Sequence, residues 1–434
     1  RREWDEVESF DVEADFEPIV DVVGSLARSV LERVEDTGRE LGESLDDLRY
    51  QLPRLRTLEQ LRPDTRISLG LELSDRAARH PDRTFFLWRS RAFSYADADR
   101  RVDAIVRGLI DRGLKAGQRI GVLMDGRPSY LSLVAAINRL GAVAVLYKPP
   151  TSQSSESRED QLAALGAALG AAELAALISD PTHAATALDL WSGAVDLRSG
   201  DSPVLVLGGG PDRAALPEGC FDLETIDPES VSLPAWYVPN PGRARDLALV
   251  IVTVRRWSAA REARISNGRW AMSAYGAAAT CLLSSKDTVY CPLPLHHQAG
   301  ILVAVGGALV GRSRLALPDR FTIDEFWPDV RRYGATVAFY AGEMWRLLAE
   351  APSSPAEGNH SLRLIAGSGM RADLWPRVLD RFGALSIREF YASTEGNLVF
   401  ANVTGKPGAL GRPLPGSNPH AVVAYDFAGD DFFR

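Results

Sequence analysis

The segment Phe390-Tyr391-Ala392-Ser393-Thr394-Glu395-Gly396-Asn397 decides how the rest of the chain is read. It follows Ser386 to Glu389, a short run with strand character. An aromatic ring, hydroxyls and a carboxylate crowd onto a turn that closes on a glycine. In open α/β sheets, ligands bind outside the carboxyl ends of strands. A ring placed there can stack on a base, a hydroxyl can bond a phosphate, and a carboxylate can help to hold Mg²⁺. The same composition also suits a plain structural turn, so the residues alone leave both readings open.

Working outward, strands and helices alternate from Ile67 onward. Thr84 to Trp88 and Arg91 to Tyr95 read as a β-hairpin around a polar turn. Ser94 is placed to cap a helix from Tyr95 whose apolar face is Val102, Ile105, Val106, Leu109 and Ile110, with Gly113 at its end. Strands are expected at 119–124, 142–147, 203–207, 246–253, 287–291, 313–317, 336–340 and 361–365. Helices are expected at 129–140, 162–177 and 267–281. Such alternation predicts parallel sheets with helices on their faces. The expected fold is α/β, with two parallel-type sheet subdomains flanked by helices and a short C-terminal β-rich segment. The expected division is 1–66 as an acidic start and amphipathic helix that forms a linker or docking element, 67–245 and 246–410 as α/β subdomains, and 411–434 as the start of a β-rich segment. Residues 211–245, rich in Pro, Asp and Gly, read as an internal linker.

Composition narrows the class. With 434 residues, 46% hydrophobic and 24% charged, the chain is that of a globular protein with two or three core units. Disorder of the whole chain, collagen and coiled coil are excluded. Three cysteines give neither a disulfide scaffold nor a zinc motif, and they point to a reducing, cytoplasmic setting. Nine acids within residues 1–21 carry most of the net charge of -8. No basic stripe remains for nucleic acid. Only four lysines occur: Lys115, Lys148, Lys286 and Lys406.

No stretch is long and apolar enough to span a bilayer, and no signal peptide is visible. Residues 19–48 have helical apolar spacing with an acidic polar face, which favours docking on a neighbouring domain over a membrane surface. Peripheral membrane association stays open as a second reading. The start at Arg1 and the uncapped end at Arg434 lead us to expect a longer polypeptide with flanking domains.

Three motifs carry little. Gly208-Gly209-Gly210 follows a strand, but Arg213 stands where a dinucleotide fingerprint needs glycine, so it reads as a turn. Gly367-Ser368-Gly369 lacks the spacing of a nucleophile elbow. His296 and His297 are adjacent and point apart, which does not make a metal pair.

A wider pattern adds to the residue reading. Tyr391 to Asn397, then Asn402-Val403-Thr404-Gly405-Lys406-Pro407-Gly408-Ala409-Leu410-Gly411-Arg412, resembles the adenylate-forming superfamily. Within it, the chain is similar to the very-long-chain acyl-CoA synthetase and fatty-acid-transport-protein branch. Asp82-Arg83-Thr84 with Phe93-Ser94-Tyr95, Asn267-Gly268-Arg269-Trp270, Pro294-Leu295-His296-His297 and Gly367-Ser368-Gly369-Met370-Arg371 extend the resemblance over residues 67–425. It implies that Tyr391 stacks on adenine beside Gly367, Ser368 and Gly369. It further implies that Thr394 bonds the α-phosphate and Glu395 ligates Mg²⁺. His297 would mark the carboxylate end of an acyl tunnel bounded by Gly300 and Ala341. The implied reaction joins a fatty acid to ATP as acyl-AMP and then passes the acyl group to coenzyme A.

The chain departs from that pattern where the phosphate loop belongs. After the strand at 248–252 it reads Thr253-Val254-Arg255-Arg256-Trp257-Ser258-Ala259-Ala260-Arg261. Thr253 is kept and Arg261 replaces the lysine, but Arg255 and Ser258 stand at the glycine positions. Glycines let backbone N–H groups converge on a phosphate, and a side chain forced into the left-handed region costs about 1–2 kcal/mol. Lys148-Pro149-Pro150-Thr151-Ser152 is a second departure, and the C-terminal domain that supplies a closing lysine in the family is a third. The expectation is a degenerate ATP site that binds ATP–Mg²⁺ weakly and AMP better, serving as a lipid-binding, docking or regulatory module. Two alternatives stand beside it: a working AMP-forming ligase with an arginine-based loop, and an interaction scaffold without ligand.

Overall fold

The computed structural model describes residues 53, 54, 56–152, 156–194, 204–209, 213, 215–253, 260–383, 385–396, 398–413, 423–426 and 431–432. The acidic start and the expected helix at 19–48 lie outside the described residues, as do Val254 to Ala259 of the phosphate-loop stretch.

Local rules build the first half. Ser68 caps helix α1 (Leu69–Arg79) by accepting from the Leu71 amide. The hairpin of β1 (Thr84–Trp88) and β2 (Arg91–Ser94) leads straight into α2 (Tyr95–Asp111). Ser94 and Asp97 form a reciprocal capping box at its start, a device worth about 1 kcal/mol. Then follow β3 (Arg119–Leu123), α3 (Pro128–Leu140), β4 (Val143–Leu146), α4 (Arg158–Gly170), β5 (Ala176–Ser179) and α5 (Ala184–Ala194). The strand β5 ends a stretch expected to be helical to residue 177: its four residues are fully buried apolar-type positions pairing with β3. The short strands β6 (Val204–Val206) and β7 (Phe221–Asp222) follow.

The second half begins with the antiparallel pair β8 (Leu247–Thr253) and β9 (Arg261–Ser266), then α6 (Asn267–Thr280) and β10 (Thr288–Tyr290). A π-helical stretch, Ala299–Val305, runs directly into α7 (Gly306–Gly311). Next come β11 (Arg314–Ala316), α8 (Ile323–Tyr333), β12 (Val337–Ala341), α9 (Met344–Glu350), β13 (Leu364–Ser368), α10 (Leu374–Phe382) and β14 (Ser386–Ala392). The last strands are β15 (Val399–Asn402), β16 (Arg412–Pro413), β17 (Tyr425–Asp426) and β18 (Asp431–Phe432).

Two large sheets result. One has seven strands in the order β7-β6-β5-β3-β4-β8-β9, and the other has nine in the order β16-β15-β14-β13-β12-β10-β11-β1-β2. Parallel pairing dominates both, with antiparallel strands at the edges. This is the α/β architecture that the alternating pattern predicts.

The sheets do not respect a boundary at 245/246. The hairpin β1–β2 joins the sheet of the second half, where Phe86 pairs with Leu315. Conversely, β8 and β9 complete the sheet of the first half, where Leu146 pairs with Ile251. Strand pairing is decided by long-range burial rather than chain position, so a composition shift could not reveal the exchange. Residues 215–245 are likewise not a free linker. They hold β7 and short 3₁₀ turns, and the Asn240 amide donates to the Arg139 carbonyl while Arg243 bridges Arg66.

One core cluster runs across both halves, from Leu69 and Phe86 through Ile137 and Leu249 to Val305 and Ala366, with two smaller clusters around Trp345 and Tyr147. Arg54 is buried and donates to the carbonyls of Ala278, Leu283 and Gly311, so it ties down the C-terminal ends of α6 and α7. Burial leads its causes and lowers its pKa to about 10. No helix among the described residues is long and apolar enough to cross a membrane.

Candidate functional site

At the carboxyl rim of the nine-stranded sheet, β12, β13 and β14 end side by side. The register pairs Ala341 with Ser368, and Gly367 with Glu389. It carries Gly369 and Tyr391 onward to the same rim. Gly367 has no room for a side chain, since a Cβ would meet the Tyr340 carbonyl oxygen at 2.1 Å. Gly369 turns there with φ +104, against the backbone of Gly342. Gly367 is buried and gives its space to Tyr340, while exposed Gly369 leaves backbone bare at the rim, the condition for close approach by a flat ligand.

A buried carboxylate, Glu389, fixes this strip. It accepts from the Met370 amide at 2.9 Å, from the Gly369 amide at 3.3 Å and from the Tyr340 hydroxyl. Burial leads the causes that raise its pKa, and its three donors only partly offset that. The sequence reading missed Glu389 and Tyr340. The signal was there, because a glutamate inside a strand between apolar positions has to find partners indoors.

Tyr391 stands 52% exposed on the rim, with its ring edge-on to Phe400 at 6.2 Å. That leaves a ring face accessible for stacking. The turn beyond it is tied by Arg269 on the first turn of α6, which donates to the carbonyls of Thr394 (2.8 Å) and Gly396 (2.9 Å). Burial lowers the Arg269 pKa, and the Glu395 charge acts the other way. The Ser393 hydroxyl donates to the exposed Glu395 carboxylate at 3.0 Å. Arg269 lies in the motif Asn267 to Trp270 that carried part of the resemblance, yet its bracing role is visible only in three dimensions.

Glu395 belongs to no preformed cluster of metal-ligating side chains among the described residues. That fits Mg²⁺, which keeps waters and is bound through one or two carboxylates plus substrate phosphates. Glu395 would hold the ion together with phosphate oxygens.

Thr253 and Arg261 face each other across β8 and β9, at the mouth of the hairpin loop. Arg261 is exposed. Arg255, Arg256, Trp257 and Ser258, on which the reading of a degenerate loop depends, lie outside the described residues.

His297 stays at the surface, and its Nδ1 accepts the Ala299 amide at 3.3 Å. The protein packed about its ring lowers its pKa. Burial, with help from His297 and Lys148, pushes His296 down to about 4. Both rings are therefore uncharged at neutral pH, so His297 could meet a carboxylate as a hydrogen-bond donor rather than as a counter-ion. Gly300 is packed: a Cβ would lie 2.2 Å from the Pro294 carbonyl oxygen. Gly306 is seated against Ala274 of α6. Small residues here let helices approach closely. A cavity of about 600 Å³ lies elsewhere, and neither His297, Gly300 nor Ala341 lines it. Gly208 is a turn residue, with φ +107 and its amide donating to Glu224.

The family model described as AMP-binding enzyme matches residues 73–424. Long-chain fatty acid transport protein 2 of Rattus norvegicus is 28% identical over 404 residues, covering 90% of this chain and 62% of the relative. The medium/long-chain-fatty-acid–CoA ligase FadD6 of Mycobacterium tuberculosis is 29% identical over 381 residues, covering 86% and 58%. The chain thus spans less than two thirds of the length of these relatives. Among solved structures, apo MbtA of Mycobacterium smegmatis superposes with a TM-score of 0.68 at 20% identity, over 85% of this chain and 65% of that one. The rim built from Gly367, Gly369 and Tyr391 and the match over most of the sequence lead to one conclusion: this chain belongs to the AMP-binding enzyme family.

Proposed function

We propose that this chain is a long-chain fatty acyl-CoA synthetase-like adenylation domain that keeps the adenylate-binding corner while its hold on the β- and γ-phosphates is degenerate. The observation that carries the reading is the exposed Tyr391 ring beside the exposed backbone of Gly369, with Arg269 bracing the Thr394–Gly396 turn. Tyr391 stacks on adenine, the Thr394 hydroxyl bonds the α-phosphate, and Glu395 shares Mg²⁺ with phosphate oxygens. The acyl group lies toward His297 and Ala341. Arg255 and Ser258, where glycines would form the phosphate cradle, weaken the grip on the rest of the triphosphate. The domain then serves as a lipid-binding or regulatory module of a longer protein, and its sequence relatives support the fatty acyl class.

Calorimetry decides it. AMP is expected to bind more tightly than ATP–Mg²⁺, and Tyr391→Ala is expected to abolish most of the AMP signal. Micromolar ATP affinity that weakens with Arg261→Ala would instead favour the second reading, a working ligase whose arginines grip phosphate through their planar guanidinium forks.

A further inference from the structure

The seven-stranded sheet has a carboxyl rim of its own. The crossover from β3 goes to β4 on one side, while that from β5 goes to β6 on the other, and β3 and β5 are neighbours. Connections that part in this way open a crevice where α/β proteins bind ligands. The two loops leaving these strands are locked together. Asp180, fully buried, accepts the Asp125 amide at 2.9 Å and the His183 amide at 3.1 Å, and lies 3.5 Å from the Arg127 guanidinium. His183 Nε2 meets Asp125 at 3.0 Å.

A cavity of about 600 Å³ opens between these loops, the first turn of α3 and the β1–β2 hairpin of the other sheet. Its walls carry four arginines, Arg89, Arg91, Arg101 and Arg127, against one carboxylate, Asp97. Arg89 is committed to Asp319 and Arg101 to Glu224, while Asp97 is taken by Arg100. Arg91 has no acidic partner among the described residues and lies over the Phe93 ring at 4.6 Å. Arg127 is aimed by Asp180, and the positive end of α3 starts beside it with Pro128 and Ser129 on the cavity wall. Trp88 and Phe93 supply flat apolar surface.

We infer that this cavity is a second ligand site, separate from the adenylate corner, that binds a phosphate monoester carried on an aromatic body. Guanidinium forks match phosphate oxygens two at a time. The aromatic wall accepts the ring that carries the phosphate. None of the lining residues comes from β12 to β15 or α6, so the two sites can fill independently.

The test titrates the full chain with phenyl phosphate, inorganic phosphate and phenol by calorimetry. Phenyl phosphate is expected to bind at least tenfold more tightly than either fragment. Arg91→Glu, an exposed change on an edge strand, should weaken it at least tenfold. Ser129→Asp should do the same, and it suits the start of a helix, so it guards against misfolding as the cause. AMP binding should be unchanged in both variants. Equal affinity in the parent and both variants would overturn the site. So would loss of phenyl phosphate binding in Tyr391→Ala alone, which would place that ligand in the adenylate corner. Inorganic phosphate binding as tightly as phenyl phosphate would overturn the assigned ligand class.

Discussion

The two rims of the nine-stranded sheet handle a buried carboxylate in opposite ways. At the amino rim, Asp287 precedes β10 and is wired on every side. It accepts from Thr336 (2.7 Å), from Arg363 (2.9 Å) and from the Ser284 amide (2.8 Å), while Arg363 also donates to the carbonyls of Cys281 and Leu282. At the carboxyl rim, Glu389 has two amides and a hydroxyl but no cation among its hydrogen-bond partners. Burial opposes ionisation of both. At Asp287 burial is the largest single effect, but the Arg363, Thr336 and Ser284 contacts together outweigh it and the pKa falls below its ordinary 3.8. At Glu389 burial wins and the pKa rises above its ordinary 4.5. The first rim spends its polar groups on holding strands together. The second leaves a tyrosine, a carboxylate and bare backbone facing outward, the composition of a binding edge rather than a seam.

The comparison breaks most visibly at the amino rim. Asp287→Ala removes the shared acceptor of Thr336, the Ser284 amide and the partly exposed Arg363, and should cost about 2 kcal/mol in urea unfolding, the range for leaving buried donors without an acceptor. A loss under about 1 kcal/mol would show that the wiring is dispensable. Glu389→Gln should cost less, about 1 kcal/mol, because the amide keeps an acceptor for Tyr340 and Met370.

The pH dependence sharpens the contrast through its sign. Asp287 has a lowered folded pKa, so its contribution is present above 3.8 and is lost as pH falls through the folded value. Glu389 has a raised one, so its contribution is present below 4.5 and is lost as pH rises through the folded value. Unfolding curves across this range should therefore flatten on opposite sides in Asp287→Asn and Glu389→Gln. Parallel shifts in the two variants would contradict the assignment.

The smallest effect on stability belongs to Tyr391. With its ring half in solvent, Tyr391→Ala should change unfolding by no more than about 0.5 kcal/mol. It should nevertheless weaken AMP about tenfold, since stacking on an aromatic ring contributes roughly 1–3 kcal/mol. Equal AMP affinity in the variant would remove Tyr391 from the adenine site.

Much of this was legible in sequence where the physics is local. Ser94 announces its cap just before the helix that starts at Tyr95, and the strands around residues 119–124 and 336–340 are apolar runs. Tyr391 to Asn397 carries its chemistry in seven consecutive residues. What escaped depends on distant partners. Glu389 is unremarkable until Tyr340 and Met370 come beside it, and Arg269 until the Thr394 carbonyl does. The π-helical turn at Ala299–Val305 has no period of its own in such an apolar run. The arginine-lined cavity draws on four separate segments, so no spacing could have flagged it.

The exchange of strands between the sheets also sets a timetable. During synthesis the β1–β2 hairpin emerges early, but its neighbour β11 follows about 230 residues later. At roughly 5–20 residues per second, that is a wait of about 12 to 46 seconds with the β1 edge unpaired on that side. Neither half can complete its sheet from its own residues, since β8 and β9 must also travel back to β4. The nascent chain thus carries an open strand edge for longer than most local structure takes to form. A fragment cut near residue 245 is therefore expected to give low soluble yield, because it keeps the edge of β4 but lacks β8 and β9.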